Sequence, residues 1–348
     1  MPDKDELWLL QEMQGDAAQI NVRAARVEPR LGLPPSGSTP LAVQSVPQTP
    51  RPFPFMLDIA DPLGRDLELQ NEGGPLVGAR RVPFSPVNVT LNDQAATLEV
   101  PLITGILSTS LSRGPLGRLD HANSVDVTLM DGTLSSVDEA ALLSGGNGFA
   151  IETDLGWEII AAQNAVLVGE RTYRLSNLLR GLAGTDADMM DVVPVGARIV
   201  LLAGSRGIGG GLTRVSVSDD LIDTDIQLQA FSAGRESEVQ DLAYAARHLR
   251  SLKPVHGRFD RAAGRATWIR RSRIGGDRWT GLDVPLGEAR EVYRIDVFDG
   301  ESLLHSEDVL QSLYTVPEMF IGTATHISVA QVSDLVGAGP DLLISLEA

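Results

Sequence analysis

Ser124–Gly132 reads SVDVTLMDG. Val125, Val127 and Leu129 alternate with Ser124, Asp126 and Thr128, and Asp131-Gly132 follows at once. An apolar–polar period of two places one face of a strand on a core. An Asp-Gly pair tolerates the left-handed backbone of a tight hairpin turn. The same grammar recurs on both sides. Val87, Val89 and Leu91 alternate upstream, and Phe149 and Ile151 lead through Asp154-Leu155-Gly156 into Trp157 and Ile159. Val166 and Val168 lead through Gly169-Glu170 into Tyr173 and Leu175, and Ala197–Leu202 (ARIVLL) reads as a buried strand. Residues 55–203 therefore form a β-rich domain, a sandwich or a barrel. Ser136–Leu143 (SVDEAALL) is the best short helix in it.

The flanks differ. Residues 29–54 hold Pro29, Pro34, Pro35, Pro40, Pro47, Pro50, Pro52 and Pro54. Proline lacks the N–H that a ladder needs, so this stretch is a linker or an arm draped over a partner, with a proline-motif ligand as the alternative. Ahead of it, residues 1–28 read as a docking arm or the closing piece of something larger. Asp3 and Asp5 can cap a helix on which Leu7, Leu10 and Met13 share a face, and Gln19–Glu28 alternates as a strand. Residues 204–250 are a connecting segment that opens with the glycine-rich GSRGIGGGLT. That stretch misses the third glycine of a dinucleotide fingerprint and the Lys-Ser/Thr of a P-loop, so it reads as a crossing between domains. Val215, Val217, Ile222, Ile226 and Leu228 look strand-like, and Val239, Leu242, Ala245, Ala246 and Leu249 fit a helix or a strand.

Residues 251–348 form a separate module. Pro254–Phe259, Arg265–Arg271, Glu291–Phe298, Glu301–His305, Thr325–Val332 and Leu342–Leu346 are six strand candidates, and Asp299-Gly300 supplies a hairpin turn. Trp268 on an early strand and Tyr293 on a middle one resemble a fibronectin type III-like sandwich. The expected fold class is all-β: an elongated chain of β modules ending in that sandwich. Trp157, Trp268 and Tyr293 are expected in cores, Leu175–Leu182 in the packing of the middle domain, and Trp279 in a loop or at a module edge.

Composition narrows the chemistry. With 29 Lys+Arg against 46 Asp+Glu, the formal charge of the 348-residue chain is −17, which repels nucleic-acid backbones. No apolar run is long enough for a membrane span, and no basic-then-apolar leader opens the chain. Cysteine is absent, which removes disulfides, thiolate catalysis and cysteine-held metals supplied by this chain. His121, His248, His256, His305 and His326 show no metal-ligand spacing. His121 follows Asp120, but neighbours on a strand point to opposite faces. Asp219, Asp220, Asp223 and Asp225 are dense enough to suggest Ca²⁺, yet they lack the glycine and distal glutamate of an EF-hand loop and read as solvated turn carboxylates. Glu152, Asp154 and Glu158 invite comparison with a glycosidase pair, but flanking a hairpin turn they read as a polar face. Arg270, Arg271 and Arg273 can grip an acidic partner or pair locally with Glu288 and Glu291 across the sheet, the local reading being preferred. No nucleophile motif occurs. No catalytic, cofactor-binding or metal residue is assigned, and no enzyme is expected.

Two long phrases carry a resemblance. Tyr173–Leu202 contains LSNLLRGLAGT followed by VGARIVLL, and Trp268–Tyr293 reads WIRRSRIGGDRWTGLDVPLGEAREVY. With GPLGRLDHANSVDVTL (114–129), LKPVHGRF (252–259) and ISVAQVSDLVGAG (327–339) they stand in the order found in a known family. The chain resembles the distal portion of the large tail-tip protein of gene transfer agents and tailed phages, the megatron or host-specificity protein. The resemblance implies a structural component of the tail tip or baseplate, threefold around the tail axis. It would link the hub to fibre or receptor-binding parts, contact the distal tail, and reside in the virion after assembly in the bacterial host cytoplasm. A host-surface receptor or polysaccharide is the implied outer partner. The full family pattern also has a hub and, in some members, a glycosidase-like barrel, so a separate chain would supply these or they would be missing. The alternative role is a tail enzyme that binds or depolymerises envelope polysaccharide.

Overall fold

A computed structural model describes residues 7–15, 20–27, 50–60, 74–80, 85–204, 207–208, 211–274 and 284–346. The chain divides into two compact units, Met1–Gln48 and Thr49–Ala348. Trp279 and most of the proline-rich arm lie outside the described residues.

The first unit is a two-stranded antiparallel ribbon, Leu7–Gly15 against Ile20–Val27. The helix expected from Leu7, Leu10 and Met13 is not formed. Those residues also sit in a strand with an alternating partner at Ile20–Val27, and cross-strand pairing prevails over helical spacing. Met13 lies opposite Val22, and Glu12 lies opposite Arg23 just past a bulge after Leu10.

The second unit is built from antiparallel sheets. Its centre is a closed barrel. In sheet order, Gly148–Thr153, Gly156–Gly169, Thr172–Leu179, Asp120–Leu129, Thr104–Leu107 and Arg198–Gly204 pair in turn, and the last pairs back to the first. Closure leaves these strands no free edges. The alternation of SVDVTL now has its cause. Val125, Val127 and Leu129 point into the barrel, where they meet Phe149, Ile151, Ile160, Leu175 and Leu178. The short helix forms at Glu139–Leu143, capped by Asp138, whose side chain accepts from Ala141 N.

The outer face of the barrel is also apolar. Ala150, Ile159, Val200 and Leu202 project outward onto Phe55, Leu57, Ile59 and Leu76. Phe53–Leu57, Leu76–Arg80 and Leu212–Arg214 form the three-stranded sheet that covers them. The far side of that sheet, with Val77 and Ala79, packs on Val87, Val89, Leu91, Ile226 and Leu228 of a five-stranded sheet. Three of its strands, Thr224–Ser232, Arg235–Glu236 and Gln240–Tyr244, come from the segment expected to be a connection. Residues 212–244 instead complete sheets that residues 53–98 begin. The glycine-rich stretch likewise contributes Gly207–Ile208, paired with Arg198–Gly204. Gly211, with φ of 79°, turns the chain toward the outer sheets.

The C-terminal module is a sandwich of three strands on four. Val255–Asp260, Arg265–Ile269 and Leu313–Thr315 form one sheet. Ser302–Val309, Tyr293–Asp299, His326–Ser333 and Leu342–Ser345 form the other, with Gly337–Ala338 added beside His326–Ser333. This is the fibronectin-like arrangement, and the chain as a whole is all-β. Trp268 and Tyr293 are buried and meet edge to face at 5.2 Å. Trp157 is only half-buried: it lies at a barrel hairpin, packed on the outer apolar layer with the Arg198 guanidinium over its ring. No helix among the described residues is long and apolar enough to cross a membrane.

Candidate functional site

One polar construction of the second unit is a joint. There the barrel, the outer sheets and the C-terminal sandwich meet. It is assembled around LLRGLAGTDAD, the first of the two long phrases.

The construction starts inside the barrel wall. Arg180 follows the strand Thr172–Leu179, and Glu158 lies on Gly156–Gly169. Both side chains are fully buried. Arg180 Nε and Nη2 donate to the two Glu158 oxygens at 2.7 and 2.9 Å, and Nη1 donates to Ser112 O at 2.8 Å. Glu158 also accepts from Gly181 N, and Asp120 stands 3.8 Å from Arg180 Nη1. Asp120 is ringed by Asn123 and the Ala122 and Asn123 amides. Burial works against its charge, but these bonds and Arg180 win, and its carboxyl is held below the usual range. His121 points away and is exposed, as alternation requires.

This corrects the reading of the three carboxylates. Glu158 belongs to no polar face; it is a buried partner of Arg180. Glu152 is gripped by Arg198, and Asp154 is exposed in the turn. Two of the three are thus engaged by arginines. A charged residue lodged in an apolar run, as in GWEII and LLRGL, is the signal that could have found the pair.

Beyond Arg180 the chain makes a tight turn, Leu182–Ala187, with positive φ at Gly181, Ala183 and Gly184 (58°, 52° and 83°). Thr185 Oγ1 fastens it, accepting from Ile159 N and donating to Leu182 O, both at 2.8 Å. The turn presents Asp186 and Asp188 to the neighbouring elements. Arg271 reaches Asp186 at 2.8 Å, and Arg247 reaches Asp188 at 2.7 Å and Leu155 O at 2.7 Å. Asp58, just past the strand Phe53–Leu57, accepts from Ala245 N and Arg247 N. Burial pushes the Asp58 and Asp188 carboxyls up. Leu252 packs directly on Gly184, where a β-carbon would overlap it. Ser251 Oγ donates to Gln331 O of the sandwich at 2.6 Å, and Gly339 N donates to the same oxygen.

The three arginines therefore divide their roles. Arg273 pairs with Glu288 at 3.2 Å, as the local reading holds. Arg270 donates to the Val284 and Pro285 carbonyls, and Arg271 leaves its module for Asp186. Glu291 accepts from Tyr293 Oη. The second long phrase is thus tied to the first.

Gly184→Ala is the cleanest probe of the joint. The left-handed backbone alone costs an alanine about 1–2 kcal/mol, before the overlap with Leu252. The expected result is lower stability together with faster proteolysis near residues 251–254, read by limited digestion. Unchanged digestion would show that the turn does not set the joint.

His248 lies in the same place, in the short turn Arg247–Leu249. Its side chain is buried, and neither ring nitrogen has a hydrogen-bond partner. Burial, with Arg214 and Arg273 nearby, pulls its pKa down to about 4. An unfolded histidine titrates near 6.5, so the folded state resists protonation; stability is full above about 6.5 and is lost as the pH falls toward 4. The loss amounts to roughly 3 kcal/mol for a shift of that size. Because raised Asp58 and Asp188 act in the opposite sense, the measurement is the difference in unfolding free energy between wild type and His248→Gln across pH 4–7. A difference independent of pH would refute the assignment.

Among the described residues no group of three or more His, Asp or Glu side chains could hold a metal ion. Asp219, Asp220, Asp223 and Asp225 lie exposed around the turn Asp219–Leu221 and the start of the strand Thr224–Ser232.

Residues 78–200, most of the barrel and part of the outer layer, match the family described as Rcc01698-like, C-terminal. That family fits a gene transfer agent context. Among solved structures, domains A168–A170 of titin are similar over 79% of this chain and 74% of that chain, at 8% identity and a TM-score of 0.21. No curated protein is similar enough to match.

Proposed function

We propose that this chain is a structural part of a gene-transfer-agent or phage tail tip, of the megatron or host-specificity type, joining the hub to fibre or receptor-binding parts. The observation that carries the reading is the joint. Two phrases that resemble the tail-tip protein, far apart in sequence, meet in a partly buried, hydrogen-bonded ion pair, Arg271 on Asp186, between the barrel and the sandwich. The match over residues 78–200 supports the same context. A particle that transmits force or position from tail to cell surface needs β modules fixed at defined angles, and this joint fixes two.

The role is architectural rather than enzymatic. Glu152 and Glu158, two carboxylates a hydrolase would need free, are each locked on an arginine. The N-terminal ribbon docks on a neighbouring tail-tip chain by strand addition. A two-stranded ribbon gains stability when a third strand joins it, and Leu10 and Val22 are more than half exposed on this one. The assembly is a homotrimer around the tail axis, in the virion, built in the bacterial cytoplasm.

The test is a reconstruction of the particle. The expected density shows three copies at the distal tail with residues 7–27 paired to another chain. A single copy, or a position away from the tip, overturns the proposal. Turnover of host envelope polysaccharide by the purified chain, abolished by one carboxylate substitution, would favour the enzymatic alternative.

A further inference from the structure

One sheet of the C-terminal sandwich ends at Ser302–Val309, which pairs with Tyr293–Asp299 on one side only. Its residues are exposed except His305 and Val309, which are half-buried. Among the described residues, no backbone outside Tyr293–Asp299 bonds to this strand. We propose that its outer edge is a docking site for an extended, basic segment of a partner protein, which joins the sheet as a further strand.

The first argument is the backbone. An edge strand keeps a row of outward N–H and C=O groups without a protein partner, and that row is a template for one more strand. His305–Val309 run opposite Val297–Tyr293 in unbroken register. Leu304 is the extra residue of a bulge, past which Leu303 meets Phe298. The regular edge therefore runs from His305 to Val309. Exposed leucines flank it at both ends, Leu303 and Leu304 at 56% and 38% and Leu310 at 69%. A docked strand would cover them.

The second argument is charge, and it selects the occupant. The hairpin 293–309 sets Arg294 against Asp296, Asp299, Glu301, Glu307 and Asp308, with no other Lys or Arg. Arg294 is taken up by Asp308, and Glu307 lies 3.1 Å from His305 Nε2. Asp296, Asp299 and Glu301 accept no hydrogen bond from a basic side chain among the described residues. The surplus along this edge is therefore negative. Charges on an edge keep like-charged strands away. Two copies of this chain, each at −17, would set the same carboxylates against one another. A basic strand meets no such barrier, because its cations lie opposite the carboxylates. The same charges thus turn away a second copy and favour a cationic partner. This inference rests on the sandwich alone and not on the tail-tip reading.

The experiment uses the full chain and short fluorescent peptides in which valine alternates with lysine or with glutamate. Fluorescence anisotropy at low, constant ionic strength reads their binding. The lysine peptide is expected to bind about tenfold more tightly than the glutamate peptide. N-methylation of every amide of the lysine peptide keeps its charge, removes its donors and should abolish binding. Glu301→Lys with Glu307→Lys should reverse the preference between the two peptides, an exchange that an unfolded variant would not show. If that double variant does not fold, Glu301→Lys alone, at the exposed hairpin turn, should weaken the lysine peptide and strengthen the glutamate one. Asp219→Lys with Asp220→Lys, exposed on the outer sheets, should leave both affinities unchanged. Equal binding of the two peptides, undiminished binding of the methylated one, or an equal loss from the Asp219 and Asp220 changes overturns the proposal. None of these outcomes depends on where the chain sits in a particle.

Discussion

Glu158→Ala lowers the unfolding free energy of the barrel by about 3–5 kcal/mol, because it leaves a fully buried guanidinium without its counter-charge. Arg180 keeps its bond to Ser112 O and the more distant Asp120, but both bonds to Glu158 vanish. Water cannot replace them without opening the wall, since both side chains are shut off from solvent. The damage also spreads along the chain. Gly181 N loses its acceptor, and Gly181 begins the turn that carries Thr185, Asp186 and Asp188. Urea denaturation followed by tryptophan fluorescence in a chain that keeps Trp157 alone of its four tryptophans measures the loss, since Trp157 adjoins the substituted position. The double variant Glu158→Leu with Arg180→Met should recover most of it, because an apolar pair of similar volume needs no counter-charge. A single variant within 1 kcal/mol of wild type would mean that the pair is not structural.

The second large effect belongs to the sandwich. Trp268→Ala removes the largest side chain of its core and costs about 3–5 kcal/mol. Trp268 stands edge to face with Tyr293, among Ile295, Val297, Ile327 and Val329. Tyr293 is fully buried, and its hydroxyl donates to Glu291 at 2.7 Å. Burial and the bond to Glu291 push that phenol well above its usual range, so it stays protonated and keeps donating at any ordinary pH. Losing the indole leaves a cavity beside a ring that is held in place by its hydroxyl. Trp268→Phe should recover part of the loss. Differential scanning calorimetry should show the C-terminal transition moving and the barrel transition staying. A change below 1 kcal/mol would remove Trp268 from the core.

Period-two alternation was enough to place the strands that bury one face. Val125–Leu129, Tyr293–Val297 and Arg265–Ile269 each read correctly from side-chain order, because the pleat alone decides which residues face inward. What remained hidden was pairing at a distance. Ile226 and Leu228 read as strand-like, but nothing in Thr224–Ser232 announces that Ala230 lies beside Val89, so the sheet that this strand completes stayed hidden. Local spacing also misled at Leu7, Leu10 and Met13, where a helical stripe and a strand share the same residues. The joint was legible only in pieces. Arg273 and Glu288 were foreseeable as neighbours on one module, whereas Arg271 with Asp186 and Arg180 with Glu158 depend on how the barrel closes. A buried ion pair has no one-dimensional signature beyond a charge set in an apolar run, and that signal does not name its partner.

The interrupted outer layer also sets an order of events during synthesis. Residues 53–98 leave the ribosome early, but the strands that complete their sheets lie beyond residue 211. The barrel can close on its own hairpins as soon as Arg198–Gly204 emerges. The edge of Leu76–Arg80, the apolar far side of its sheet and the edge of Val87–Leu91 then wait for Leu212–Arg214 and Thr224–Tyr244. Pairing across such separations is slow, and an exposed edge and apolar face invite association with other nascent chains meanwhile. A chain that stops between residues 204 and 224 should therefore accumulate as aggregate rather than as a soluble barrel, and translation past residue 244 becomes the checkpoint for a subunit fit to assemble.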